Sequence, residues 1–227
     1  MAEALSEAGA TVVLCSRKVE ACEEVKKRIE EKGGKAKAHA LDVTDAEQVE
    51  RVVAAVQEEY GHIDILVNNS GTSWVAIPLK KCRLISSKRL TSISVRSSHK
   101  QLENESPLGR KGELTLPQLQ VFVARSLKCR RLGYNSSKGG LITMTKDFAV
   151  NWGKYGITVN GIAPGFIPTK MTKDVIAPIE DKMIANVPVG RLGQIQDMQG
   201  AVLYLASDAA SFMTGQMLIL DGGVLSQ

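Results

Sequence analysis

Metal-ligand and disulfide patterns are missing from this 227-residue chain. Its four cysteines, Cys15, Cys22, Cys82 and Cys129, form no Cys-x-x-Cys pair, and their spacing suggests neither a metal site nor a disulfide framework. A reducing cytoplasm is the expected setting. The three histidines, His39, His62 and His99, are scattered, which suits surface or satisfied-core roles better than catalysis. No apolar run approaches the ~20 residues of a membrane span, and no signal peptide opens the chain. A chain of this length is expected to form a single domain, residues 1–227, with a sizeable core.

Charge is unevenly placed. Residues 75–131 hold 13 Lys/Arg against 3 Asp/Glu, with eight serines and no aspartate; elsewhere there are 16 basic and 21 acidic residues. The net charge of +5 therefore belongs to one segment. A basic, Ser-rich stretch can be a nucleic-acid-binding insert. This one offers Phe122 as its only aromatic and so no stacking platform, and no nucleic-acid partner is expected.

The first half alternates two periodicities. Residues 2–8 read as the end of a helix stopped by Gly9. Residues 11–15 form a continuous β-branched apolar run, the mark of a strand buried on both faces. An amphipathic helix over 19–31 ends at Gly33 and Gly34, and residues 36–41 make a second strand. Asp42-Val43-Thr44-Asp45 leads into a helix lined by Val49, Val52, Val53 and Val56. A third strand spans 63–67 and is closed by Asn68-Asn69-Ser70-Gly71. Such alternation with short connections predicts a parallel sheet with helices on both sides. In these sheets ligands bind beyond the carboxyl ends of the strands. Arg17 stands there after the first strand, where an adenosine ribose lies in a dinucleotide fold. A guanidinium there suits a 2′-phosphate, and Ser16 supplies no acid for a bare ribose diol. Asp42 could accept from an adenine amine or, equally naturally, cap the following helix.

In the second half, the spacing of Leu141, Ile142, Met144, Phe148, Ala149 and Trp152 predicts a helix over 134–152. Positions four apart share a helix face, so the Tyr134 phenol and the Lys138 ammonium stand side by side. A free Tyr titrates near ~10. A neighbouring cation favours phenolate and makes the phenol a usable general acid or base. A bare Tyr-x-x-x-Lys also occurs by chance on surface helices; the surrounding motifs weigh against that. Residues 155–160 read as a buried strand, 201–206 as a continuing helix and 217–220 as a final strand.

Taken in order, Asp42-Val43, Asn68-Asn69-Ser70-Gly71, Tyr134-x-x-x-Lys138, Asn160-Gly161-Ile162-Ala163-Pro164-Gly165 with Thr169, and the ending Gly215-Gln216-Met217-Leu218-Ile219-Leu220-Asp221-Gly222-Gly223 resemble the short-chain dehydrogenase/reductase family. The stretch from Gly165 to Met171 looks most like its gluconate 5-dehydrogenase-like branch. The resemblance implies a three-layer, doubly wound Rossmann-like α/β domain that moves hydride between NADP, or NAD, and a small alcohol or carbonyl compound. It implies Tyr134 as general acid/base and Lys138 as its activator and ribose ligand. Asn69, Ser70 and Gly71 would pack beside the cofactor, with Asp42 and Val43 at the adenine side. Pro164, Gly165 and Thr169 would lie near the nicotinamide and its phosphates. Residues 176–189 would be a mobile cover over the substrate or an ordinary surface helix. A homo-oligomer through the Tyr134 helix and the last helix is implied by resemblance alone.

Two departures shape the expectations. The family's opening strand and Gly-rich turn are not in this sequence, since Met1 falls within the helix that the turn starts. Residues 75–132 do not read as the family's long helix and serine-bearing strand. With plausible codons for residues 77–90, skipping two bases yields Pro-Leu-Glu-Glu-Met-Pro-Leu-Asp-Lys-Phe-Gln-Lys-Val, the family's entry into that helix. The same offset over 115–128 yields Ile-Ala-Ser-Val-Ala-Gly, its catalytic-serine strand. The segment is therefore expected to be frameshifted family sequence. The chain as written is expected to be an inactive or very weak enzyme, with a non-catalytic remnant or binding module as the alternative.

Overall fold

The computed structural model describes residues 1–69, 114–115, 132–168 and 177–227, with side chains from residue 138 onward in the helix that contains it. Helix α1 (Ala2–Glu7) leads through Gly9, at φ +97°, into β1 (Thr11–Ser16). Then come α2 (Val19–Glu31), β2 (Lys35–Ala40) and α3 (Ala46–Tyr60). After β3 (Leu114–Thr115) follow α4 (Leu132–Trp152), β4 (Val159–Pro164), α5 (Glu180–Ile184), α6 (Asp197–Leu205) and β5 (Met217–Leu220).

Every described strand pairing is parallel. β1 pairs β2 in the register Thr11 with Lys35 through Ser16 with Ala40. β4 lies between β3 (Leu114 with Val159) and β5 (Gly161 with Met217). Parallel strands require crossovers, and here helices supply them on both faces. All six residues of β4 are buried, as a central strand of a doubly wound sheet demands. On one side, Ile162 joins Leu5 of α1 and Met198, Ala201, Val202 and Leu205 of α6. On the other, Val159 joins Phe148, Ala149 and Trp152 of α4, with the Phe148 and Trp152 rings stacked at 4.3 Å. The odd–even alternation of the strand assigns the two faces.

Three expectations are corrected. Residues 63–67 were expected as a strand, but only Ile65 makes a bridge. The packing still alternates as in a strand, for Leu66 meets the α4 cluster and Val67 the α6 cluster. A ladder needs a neighbour, and no described strand runs along this segment. β1, expected to be buried on both faces, has only half-buried and exposed residues, because β2 is its only described partner strand. The strand placed at 155–160 starts later: residues 153–155 form a 3₁₀ turn, Gly156 takes φ +75°, and β4 begins at Val159. A left-handed residue cannot continue a ladder, so the glycine sets the start. Within the anomalous segment 75–132, β3 is a two-residue strand set against the amino end of β4.

Candidate functional site

Within each of the two described parallel sheets, β1–β2 and β3–β4–β5, the carboxyl ends of the strands share an edge, and the predicted cofactor residues follow those strand ends. Arg17 follows β1 and is exposed; Asp42 and Val43 follow β2; Asn69 follows the 63–67 segment; Pro164 and Gly165 end β4. Ser70, Gly71 and Thr169 lie outside the described residues. Lys138 reaches the same edge by direction of travel. The carboxyl end of α4 packs on Ile157 and Val159, at the start of β4, so its amino end points toward the strand's carboxyl end. At 1.5 Å per residue, Lys138 stands roughly 15 Å up the axis from Phe148, with Tyr134 about one turn further on. The Tyr134 side chain is outside the described set, but its backbone lies in α4, four residues before Lys138. Burial pushes the half-buried Lys138 ammonium below its ordinary value. Desolvation of this kind disfavours charge, so an adjacent phenolate is a partner the ammonium would favour.

The two readings of Asp42 are now distinguishable. The cap of α3 is Asp45, whose Oδ1 accepts from the Glu47 amide at 3.0 Å and the Gln48 amide at 3.2 Å. Gln48 answers through its side chain, donating to Asp45 Oδ2 at 2.7 Å while its Oε1 accepts from the Asp42 amide at 3.0 Å. This resembles a capping box, with Gln at the third helical position. Asp42 instead closes the preceding turn: its Oδ1 accepts from the Thr44 amide at 2.9 Å and the Thr44 hydroxyl at 2.7 Å. These bonds, the Thr44 amide foremost, hold its carboxyl below the usual range, and the Arg17 charge adds to the effect. Arg17 and Asp42 are thus neighbours beyond the carboxyl ends of β1 and β2, one cationic and one anionic. Asp42 Oδ2 makes no hydrogen bond among the described residues and remains an acceptor.

At the other end, the loop 164–168 is held from two sides. The Gly165 amide donates to Leu220 O at 2.8 Å, and the Gly193 amide to Phe166 O at 2.9 Å. A Cβ at Gly165 would lie 2.7 Å from the Asp221 Cα, so only glycine lets the two backbones approach this closely. The segment carrying Gly193 is fixed by Arg191, whose guanidinium grips the Asp197 carboxylate at 2.7 and 2.8 Å. Arg191, and after it the Gln194 amide, hold Asp197 at about 2. Asn160, 1% exposed, braces the strand entry by donating to Met213 O at 2.6 Å and accepting from the Gln216 amide at 3.1 Å. These supports were missed as site residues in the sequence. The Asp-Gly-Gly at 221–223 was the available signal, since an Asx residue before two glycines favours a side-chain-closed turn.

The described groups beyond these strand ends are a cation at Arg17, an acceptor at Asp42, closely approaching backbone at Gly165 and an ammonium at Lys138. Among the described residues no helix is long and apolar enough to cross a membrane.

Comparison with known proteins places the chain. The family profile described as enoyl-(acyl carrier protein) reductase matches residues 1–225. Gluconate 5-dehydrogenase of Gluconobacter oxydans (strain 621H) is 34% identical over 99% of this chain and 88% of its own length. The 7alpha-hydroxysteroid dehydrogenase of Escherichia coli (strain K12) is 33% identical over 95% and 85%. Among solved structures, a gluconate 5-dehydrogenase from Burkholderia cenocepacia J2315 in complex with NADP and tartrate superposes with a TM-score of 0.82. It is 29% identical, covering all of this chain and 89% of that one. A short-chain type dehydrogenase/reductase from Mycobacterium marinum gives 0.86 at 29% identity, covering 100% and 90%.

Proposed function

Because the chain belongs to the short-chain dehydrogenase/reductase family of oxidoreductases, we propose that its site is built for hydride transfer between NADP and a small polar alcohol or carbonyl compound, with a sugar acid as the first class to try. The observation that carries this reading is the half-buried Lys138, one turn from Tyr134 in the amino-terminal part of α4, the helix whose carboxyl end packs at the start of β4. The bound nicotinamide supplies the hydride acceptor or donor. Tyr134 takes the hydroxyl proton of the alcohol, or returns it to the carbonyl oxygen in reduction. Lys138 stabilises the phenolate and hydrogen-bonds the nicotinamide ribose. Arg17 reads the 2′-phosphate and makes NADP the preferred cofactor over NAD, while Asp42 and Val43 face the adenine. Asn69, Ser70 and Gly71 flank the cofactor, and Pro164, Gly165 and Thr169 flank the nicotinamide end. The relatives named gluconate 5-dehydrogenase support the substrate class.

The 227 residues as written are proposed to be an impaired enzyme within a single domain. The composition break over 75–132 falls where the family's serine-bearing strand belongs. Losing one oxyanion-type donor alone costs about a hundred- to a thousandfold in rate. That same break supports the second reading, a non-catalytic chain of the same fold. A homo-oligomer in the cytoplasm is part of the proposal. Val150 on α4 is 81% exposed and Tyr204 on α6 40% exposed, apolar surface that a second copy would cover.

The test is a chain extended by a Gly-rich turn and read in the shifted frame through 75–132. There Tyr134→Phe abolishes turnover while NADPH affinity stays nearly intact, and Lys138→Ala damages both. Robust turnover by the Tyr134→Phe protein removes the phenol from the mechanism. Oxidation of a sugar acid by the chain as written overturns the impairment.

A further inference from the structure

We propose that the turn following β5, residues 221–226, is an internal latch on residues 177–189, the described part of the segment 176–189 expected as a substrate cover or a surface helix, with Asp221 as its positioning residue. The turn is closed by one carboxylate. Asp221 Oδ1 accepts from the Gly223 amide at 2.9 Å, and its Oδ2 accepts from the Leu225 amide at 2.8 Å. Gly222 and Gly223 take φ +65° and +89°, which bends the backbone back across the segment that ends the cover.

Contact between the two is close and continuous. The Val189 amide donates to Gly222 O at 3.2 Å, and Gln227 Nε2 donates to Asn186 O at 3.3 Å. A Cβ at Gly222 would lie 2.6 Å from Val187 Cγ1, and one at Gly223 would lie 3.1 Å from Pro188 Cγ. Val224 packs on the buried pair Val187 and Leu192, in a cluster completed by Met183 and Ile184 of α5 and by Phe166. Phe166 belongs to the loop 164–168, and Gly165 in that loop abuts Asp221 itself. One turn therefore touches both the cover and the loop proposed to flank the nicotinamide.

Local energetics make the latch necessary. α5 has five residues and no side-chain cap, and isolated helices of that length are unstable in water. Its position must come from tertiary packing, and among the described residues its apolar side chains Met183 and Ile184 pack in the cluster shared with Val224. Releasing the turn should free the cover without loosening α6, whose core is the separate cluster around Ile162 and Leu205. The meaning of the latch for catalysis rests on the reading of 177–189 as a substrate cover; the physical coupling does not.

Amide hydrogen exchange on the purified chain, without dinucleotide, decides it. In Asp221→Ala, exchange at the amides of Ala185, Asn186, Val187 and Val189 should speed up at least tenfold, while the amides of α6 change less than twofold. Val224→Ala, which leaves the Asp221 bonds intact, should give the same pattern more weakly, and it decides the matter if Asp221→Ala does not fold. Unchanged exchange at 185–189, or an equal rise in α6, overturns the latch. Failure of NADPH to protect any amide of the extended, frame-restored chain would count against the proposed function and leave the latch result standing.

Discussion

Gly165 offers the sharpest quantitative test of how the site edge is built. A Cβ added there meets Asp221 Cα at 2.7 Å, its Cβ at 3.1 Å and its carbonyl carbon at 3.3 Å. Carbon atoms rest at about 3.5–4.0 Å, so the two backbones must part by roughly 1 Å. Both are tied: the Gly165 amide donates to Leu220 O at 2.8 Å, one residue before the clash, and a shift of that size strains the bond. Overpacking typically costs about 1–3 kcal/mol. At about 2–4 °C per kcal/mol for a chain of this size, Gly165→Ala should lower Tm by roughly 2–12 °C. Gly200 is the matched control. It lies on the exposed side of α6 with nothing within 4 Å of an added Cβ, so Gly200→Ala gains helix propensity and should stabilise by about 0.4–1 kcal/mol. The same substitution thus has opposite signs at two glycines. Differential scanning calorimetry of the two variants is the assay. A Gly165→Ala protein that melts at or above the parent temperature would refute the close approach on which the edge geometry depends.

Three further outcomes follow from the same observations. In the extended, frame-restored chain, Arg17→Ala should narrow an NADPH-over-NADH preference by about ten- to a hundredfold, the worth of a charge-assisted contact, and equal affinities before mutation would remove Arg17 as the reader. The Asp197 carboxyl sits at about 2 in the folded chain, below its ordinary value near ~3.9; its stabilisation is therefore complete above about pH 4 and lost as pH falls through about 2. The Tm gap between parent and Asp197→Asn should accordingly be widest at neutral pH and close in strong acid, and a gap independent of pH would show that the Arg191 pair does not carry it. The coding DNA between the codons for Trp74 and Gly133, read at the shifted frame, should spell an amphipathic helix and a serine-bearing strand; stop codons or unrelated residues there would make 75–132 an inserted segment.

Periodicity predicts what depends on local chain chemistry and misplaces what depends on neighbours. The helix over 19–31 was legible to the residue because its ends are local: Gly33 takes φ +82° whatever surrounds it. The alternation of Leu66 and Val67 was legible too, yet among the described residues no ladder runs there beyond the bridge at Ile65, since hydrogen bonding to an adjacent strand depends on residues elsewhere in the chain. The apolar run at β1 implied burial on both faces, but burial is a property of what covers a strand. Arg17, Asp42 and Gly165 could be named from position after a strand. Their supports could not, because Asp221 acts on Gly165 across more than fifty residues and Arg191 acts through Asp197 on the loop carrying Gly193.

The described core residues are encoded largely outside the anomalous segment. Those named in the two main clusters come from α1, β1, α4, β4, β5, α6 and nearby segments. Likewise Arg17, Asp42, Asn69, Lys138, Pro164 and Gly165 all stand on elements outside it. A frameshift confined to 75–132 would therefore leave these described residues encoded, and would remove the serine-bearing strand proposed for that segment. Chemistry is lost ahead of cofactor recognition on this account. Restoring the frame alone, without any Gly-rich extension, should then raise turnover more than it raises affinity for NADPH, because the serine acts on the reacting carbonyl whereas the pyrophosphate turn acts on binding.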